Sequence, residues 1–292
     1  MSALVRHVAL VSDSPAIGFG EVATVAAALQ KQATRDFAPL WGVNPTVDGF
    51  ERLEDVPLDY WPVILRDDIN EPGAAGFHTD ENGQPFALVQ IDDNWPLTAS
   101  HETLEMLADP FGSRTVAGAP PPQAPAAIRA LKRVLYLVEV CDPCENADFA
   151  YSVNGVTLSD FITLHYYDPK PTAGTRYSFE GSITAPHLVA EGGYVSFGDP
   201  KTSEWYQIIV VNGKAQLRDL GKLQRNGRSL REVIDARVRD IRRDDHYRTK
   251  RPAKAAAAAA AGSAPAGEQR LGAAAEIGPT RADALRRLIK TL

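Results

Sequence analysis

The sequence predicts an α/β (α+β) fold with a mixed sheet, one helix that carries a polar motif, a strand-rich second half and a basic, helical tail. Strand and helix patterns alternate over the first 110 residues. Turn signals of the two-residue hairpin type then divide residues 151–220. The charge also changes sign: residues 1–221 carry 14 Lys/Arg and 29 Asp/Glu, a net charge of −15, whereas residues 222–292 carry 17 and 8, a net of +9.

The first part of the chain alternates short strands with one long helix. Residues 8–11 form an apolar run typical of a buried strand, and the apolar stripe within residues 21–40 predicts a helix. Residues 41–43 and 59–65 are predicted as the next two strands. The glycines at 18 and 20 do not complete a GxGxxG motif, so a nucleotide-binding fold has no support.

A hairpin and a second helix follow. Asn82-Gly83 is a strong turn signal between residues 76–78 and 86–91, and the first of these strands is expected at the edge of the sheet. Residues 97–100 are predicted to open a helix with Thr98 or Ser100 as its cap. Pro110 is predicted to end it.

This helix carries the motif Ser-His-Glu-Thr-Leu-Glu-Met-Leu-Ala-Asp-Pro over residues 100–110. His101 and Glu105 are one turn apart and share a helix face, so they can bind one metal ion together. Glu102 lies beside them and can deprotonate a metal-bound water. The arrangement resembles that of the HExxH zinc peptidases, with Glu105 in place of the second histidine. A solvent-facing acidic helix is the alternative interpretation.

A catalytic zinc takes three protein ligands, and the third must come from elsewhere. Glu139 and Asp142 follow a strand predicted over residues 134–140, so they can arrive from a separate element. Asp109 lies about 12 Å along the helix axis from His101 and reaches the same ion only if the chain curls back. A capping role for Asp109 is the alternative. Further candidates remain open: Glu145, His78, His165 and His187.

The two blocks also resemble a known family. The SHExxExxxDP segment, followed by Glu-Val-Cys-Asp-Pro-Cys at residues 139–144, resembles a group of microbial zincin-like metallopeptidases with an SHExxExxxDP helix and a later E-I-x-D-x-C strand end. Residues 156–161 resemble its V-x-x-S-N-F segment, with Asp160 in place of asparagine. The resemblance implies a zincin-like fold and one Zn²⁺ ion held by His101 and Glu105. It also implies that Glu102 is the base, with the third ligand among Glu139, Asp142 and Asp109.

We therefore expect three segments: a zincin-like metallopeptidase domain over residues 1–221, a charged amphipathic helix over 222–250, and a low-complexity, Ala-rich tail over 251–292 with a short C-terminal helix. The expected function is zinc-dependent hydrolysis of peptide bonds by a metal-activated water. A catalytically inert zincin-like protein with a binding or assembly role is the alternative, because the charge of Glu105 lowers the Lewis acidity of the ion.

Several other classes are disfavoured. The two cysteines, Cys141 and Cys144, are too few for a disulfide-stapled scaffold or a four-cysteine zinc site.

No signal peptide or transmembrane segment is visible, so the expected location is cytoplasmic, with a non-standard export route or a virion-associated role left open. The basic tail lacks interleaved aromatics, which disfavours nucleic acid. The expected partner is a peptide or protein substrate, or another protein, and no membrane; the oligomeric state is open.

Overall fold

The computed structural model describes residues 4–71 and 73–249, with side chains described up to residue 240. The strands are β1 (Val5–Ser12), β2 (Asn44–Phe50), β3 (Tyr60–Arg66), β4 (Gly76–Glu81), β5 (Gln84–Gln90), β6 (Thr115–Gly118), β7 (Val134–Leu137), β8 (Tyr151–Val153), β9 (Val156–Leu158), β10 (Tyr194–Gly198), β11 (Glu204–Val211) and β12 (Lys214–Lys222). The helices are α1 (Phe19–Lys31), α2 (Ala38–Trp41), α3 (Trp95–Ala108), α4 (Ala126–Arg129) and α5 (Leu230–Thr249). The predicted Ala-rich tail, 251–292, lies outside the described residues.

The first sheet has five strands in the order β2-β1-β3-β5-β4. Four of them are parallel, and β4 at the edge runs antiparallel to β5. Strands β4 and β5 form the predicted hairpin. Asn82 and Gly83 close it with φ angles of 53° and 79°, as a type I′ turn requires. The mixed sheet confirms the predicted fold class, and the order of its elements places β4 beside the motif helix.

Both faces of this sheet are covered, which explains why its parallel strands are continuous apolar runs. On one face Val8, Leu10 and Val63 pack with apolar residues of α1 and α3 in the largest core cluster. On the other face Val11 and Ile64 belong to a smaller core. Burial of each such side chain stabilises the fold by roughly 1.5–3 kcal/mol. Helix α3 is therefore fixed against the sheet.

Two helix boundaries differ from the sequence prediction. The long helix continues from α1 through a π-helical turn (Gln32–Phe37) into α2, so Trp41 ends a helix instead of starting a strand. Gly42 follows it with a φ of 65°, the left-handed conformation that commonly ends a helix. Helix α3 starts at Trp95, before Thr98 and Ser100, so neither of them is its cap. A proline in the first turn, which already has helical φ, explains the earlier start.

The second half of the chain is rich in strands, as predicted. An antiparallel sheet has the order β12-β11-β10-β7-β6, and β8 pairs with β9 in a separate hairpin. Asn154 and Asn212 have a φ of 53° in the turns of β8–β9 and β11–β12, which confirms both predicted hairpins. The segment after β7 contacts α3, since the backbone N–H of Cys141 donates to Glu105 Oε1.

Helix α5 packs on the body of the protein through its first half. Leu230, Ile234 and Val238 are buried in a cluster with Leu137 of β7 and Leu220 of β12. The predicted charged helix is thus present, and its apolar stripe lies inward. None of the helices in the described part of the chain is both long and apolar enough to cross a lipid bilayer.

Candidate metal centre

The three motif side chains start from one helix that is buried on nearly all sides. Leu104, Met106 and Leu107 anchor α3 in the core with no exposed surface. The opposite face presents His101 and Glu105, one turn apart. The His101 side chain is 14% exposed and that of Glu105 is 0% exposed. The motif helix is therefore not a solvent-facing acidic helix, and its polar face lies in the interior.

Asp142 joins these two side chains from the segment after β7. His101 Nε2 lies 3.2 Å from Glu105 Oε1 and 3.1 Å from Asp142 Oδ1. Two donors bound at about 2.0–2.15 Å to one tetrahedral zinc are about 3.3–3.5 Å apart. Each of these two separations is within a few tenths of an ångström of that value. Among the described residues, the groups of three whose donor atoms all lie within 4.8 Å of one another join His101 either with Asp142 and Glu145 or with Glu105 and Cys141.

The Asp142 carboxylate is fully buried and lies beside the imidazole of His101. Among the described residues neither of its oxygens has a hydrogen-bond partner, and its contact with His101 is not aligned as one. A carboxylate in a protein interior is strongly disfavoured unless a cation compensates its charge. The imidazolium form of His101 supplies such a cation, and a divalent cation bound by both side chains would replace it, so the donor set is compatible with a metal.

Glu139 lies near the same position but has a different partner. Its Oε2 is 3.2 Å from a terminal nitrogen of Arg231, while its Oε1 has no hydrogen-bond partner among the described residues. Oxygens of Glu105, Glu139 and Asp142 lie within 4.8 Å of one another. Glu139 is therefore a neighbour of the centre whose carboxylate is already bound to a guanidinium.

Arg231 of α5 was not foreseen from the sequence. Its side chain is 7% exposed, and its NH1 group donates hydrogen bonds to Glu105 Oε2 and to His78 Nδ1, the latter over 2.6 Å. Its other terminal nitrogen is 3.8 Å from Glu102 Oε2. No metal motif includes an arginine, and the charge run in which Arg231 lies gave no signal that it would turn inward.

His78 lies on β4 behind the motif helix. Its Nε2 is 3.0 Å from the carbonyl oxygen of Asp109, which can only accept, so Nε2 carries the hydrogen. The Nδ1 lone pair therefore accepts from Arg231. His78, Glu102 and Glu105 are close enough to hold an ion, but the guanidinium of Arg231 already occupies that place. Among the described residues, the groups that contain His101 are free of this guanidinium contact.

Glu102 faces a cleft beside the centre. The cleft has a volume of about 560 Å³, and His101, Glu102, Glu145 and Tyr194 are among its lining residues. The edge strand β4 approaches closely because Gly76 has no side chain. A Cβ there would lie 2.7 Å from Thr98 Cγ2 and 3.1 Å from Glu102 Cγ. The edge strand, the motif helix and the candidate base thus share one groove.

Other candidates lie elsewhere or are poor ligands. Asp109 is the C-cap residue of α3, and its carboxylate accepts the backbone N–H of Arg114 over 2.7 Å in the loop that follows. His165 pairs with Asp168 at the surface, and His187 stacks on Tyr136. Burial raises the pKa of the Cys141 thiol well above its usual range, which disfavours the thiolate that binds metals.

The pKa values of the side chains at the centre depend on one another. Burial lowers the pKa of His101, but Glu105 and Asp142 outweigh it and hold that pKa well above its ordinary value. Burial raises the pKa of Glu105, whereas His101 and then Arg231 bring it well below its usual range. For Glu139 and Asp142 burial dominates and raises the pKa. Without metal the chain thus has an imidazolium–carboxylate pair, and a bound metal must displace the imidazolium proton.

Comparison with known proteins adds no assignment, since no protein-family model, curated protein or solved structure matches this chain.

Proposed function

We propose that the chain is a zinc-dependent metallopeptidase whose ion is held by His101, Glu105 and Asp142. The observation that carries the proposal is the fully buried Asp142 carboxylate, which lies 3.1 Å from His101 Nε2 and has no aligned hydrogen bond among the described residues. One histidine and two carboxylates are hard-to-borderline donors that suit zinc. They make three protein ligands, the number usual for a catalytic zinc.

The cleft supports a peptide as substrate. Strand β4 pairs only with β5 among the described strands, and Gly76, Phe77 and Thr79 line the cleft. An extended peptide can add to such an edge by main-chain hydrogen bonds. The bound peptide would then pass Glu102 and His101, which line the same cleft. The geometry thus offers both a binding edge and a polar centre in one groove.

Glu102 is the residue that we assign as general base. A zinc ion, when bound, supplies a Lewis acid that polarises a carbonyl and lowers the pKa of water. The Glu102 carboxylate accepts the proton of the attacking water and returns it to the leaving amine. Its side chain is only 4% exposed, and Arg231 lies 3.8 Å away. Glu102 therefore lies between the cleft and a fixed cation.

Zinc content tests the ligands. We expect the purified wild-type chain to bind one zinc per chain by elemental analysis after reconstitution and dialysis. The variants His101→Ala and Glu105→Ala should each lose stoichiometric zinc. His165→Ala is the control, because His165 lies at the surface with Asp168. Full zinc occupancy in either ligand variant would refute the assigned site.

Hydrolysis of fluorescently labelled casein tests the base. We expect Glu102→Gln to keep its zinc and its fold and to lose activity by about 10²–10⁴-fold. Glu81→Gln is the matched control, since Glu81 is exposed at the end of β4. If the zinc-loaded wild type is inactive toward casein and denatured protein mixtures alike, the inert binding protein becomes the better interpretation.

A further inference from the structure

Arg231 contacts two carboxylates at the same time, that of the proposed ligand Glu105 and that of its neighbour Glu139. Its NH1 group hydrogen-bonds Glu105 Oε2 and lies 3.2 Å from Glu139 Oε2. The other oxygen of Glu105, Oε1, faces His101 Nε2 and accepts the backbone N–H of Cys141 over 3.3 Å. The two oxygens of Glu105 therefore point to different partners, one to the metal ligands and one to the guanidinium.

The position of Arg231 is set by the fold. Its backbone N–H donates to the carbonyl oxygen of Gly112 over 2.9 Å, and the neighbouring Leu230 and Ile234 are buried. Ser113 Oγ accepts from the Leu230 N–H over 3.2 Å. Because the first turn of α5 is anchored by these contacts, the guanidinium has little freedom to leave Glu105.

We propose that Arg231 is a positioning residue that limits the carboxylate ligands of the centre: it holds Glu105 by one oxygen and keeps Glu139 away from the ion. The inference rests on the proposed zinc site. A catalytic zinc needs a free coordination position, whereas a site with every position filled by protein ligands is structural. Glu139 is near enough to fill that position, since one of its oxygens lies within 4.8 Å of an oxygen of Glu105 and of an oxygen of Asp142.

Removal of the guanidinium has two opposite effects on metal affinity. If Arg231 only oriented the ligand side chains, its loss would lower zinc affinity by about 10–100-fold, as the loss of other hydrogen-bond partners of metal ligands does. If it withholds Glu139, its loss frees a further carboxylate and removes a positive charge that repels the ion. The affinity then rises. The sign of the change therefore distinguishes a structural role from the proposed one.

The experiment measures zinc affinity of the full chain by competition with a chromophoric chelator, together with the visible absorption of the Co²⁺ form. We expect Arg231→Met to bind zinc about tenfold more tightly than the wild type or better. Its Co²⁺ spectrum should no longer shift on addition of azide, because Glu139 fills the coordination position that is open in the wild type. Arg231→Lys restores the charge, so its affinity should return toward that of the wild type.

Two further variants isolate the role of Glu139. In the wild-type background Glu139→Gln should change zinc affinity by less than about threefold, because Arg231 already holds that carboxylate. In the Arg231→Met background the same change should reverse the gain, and this double variant removes one buried charge of each sign. Arg239→Met is the matched control, since Arg239 also lines the cleft from α5 but pairs with Glu71.

Each outcome decides one question. A wild type that binds zinc together with an Arg231→Met variant of equal or lower affinity overturns the role of Arg231 and leaves the proposed site standing. If neither protein binds zinc, both proposals fail. If only the variant binds zinc, Arg231 limits the ligands more strongly than proposed, and the zinc-dependent function of the wild type is wrong. Should Arg231→Met not fold, Glu139→Gln in the wild-type background decides: a change in zinc affinity of more than about threefold overturns the proposal.

Discussion

Glu105 and Arg231 are 126 residues apart in the chain, and yet Arg231 donates a hydrogen bond to Glu105 Oε2. The contact joins the motif helix α3 to the charged helix α5. It brings a cation into a cluster of buried carboxylates, where burial without compensation is strongly disfavoured. The helix that follows the strand-rich half is thus part of the candidate site and not an appendage to it.

The identity of the third ligand can be decided by two conservative changes. Asp142→Asn keeps the size of the side chain but removes the charge, and we expect it to weaken zinc affinity by about 10–100-fold or more. Glu139→Gln is the matched change on the neighbouring carboxylate and should have little effect. Isothermal titration with zinc measures both. Equal losses in the two variants would contradict the assignment of Asp142.

The close approach of β4 to the motif helix gives a stability prediction. In Gly76→Ala the new Cβ would meet Thr98 Cγ2 at 2.7 Å and Leu88 O at 3.1 Å. Because the backbone oxygen cannot move aside cheaply, we expect a loss of roughly 1–3 kcal/mol in the free energy of unfolding. Gly20→Ala is the control, since a Cβ there meets nothing within 4 Å. Urea denaturation measures both, and similar results for the two variants would contradict the packing described.

The packing of α5 on the body can be tested at Ile234. This side chain is 2% exposed and lies in a cluster with Leu137 and Leu220. Ile234→Ala should lower the free energy of unfolding by about 2–5 kcal/mol. Asp240→Ala, on an exposed position of the same helix, should change it by less than about 0.5 kcal/mol. If Ile234→Ala behaves like Asp240→Ala, α5 does not pack as described.

His187 gives a prediction for the dependence of stability on pH. Burial lowers its pKa to about 4, whereas an unfolded histidine titrates near 6.5. Between these values the unfolded chain binds more protons than the folded chain, so this residue makes stability fall as the pH falls from about 6.5 to about 4. The effect is complete below the folded pKa and absent above the unfolded one.

The matched variant is His187→Asn, because His187 has a φ of 61° and asparagine tolerates that conformation. The melting temperature of the wild type should fall more steeply between pH 7 and pH 5 than that of His187→Asn. Parallel curves for the two proteins over this range would show that the imidazole of His187 is not held neutral by burial.

Much of the framework could be predicted because the signals are local. The hairpin turns at Asn82, Asn154 and Asn212 require only two residues with positive φ. The strands on either side are visible in the sequence as short segments with apolar residues. The sharing of one helix face by His101 and Glu105 likewise follows from a spacing of four. The errors at Trp41 and at the start of α3 are boundary errors, because the left-handed Gly42 ends the first helix and a first-turn proline begins the second one earlier than predicted.

The amino-acid sequence by itself determined the fold class, the order of strands and helices, and the polar face of the motif helix, because each depends on residues within a few positions of one another. Only the tertiary structure decided that Asp142 meets His101, that Asp109 caps the helix end, and that Arg231 binds Glu105 and Glu139. These contacts join segments separated by tens to more than a hundred residues. Which residues meet depends on how whole helices and strands pack and on which buried charge lies nearest. The spacing of residues within one segment contains neither kind of information.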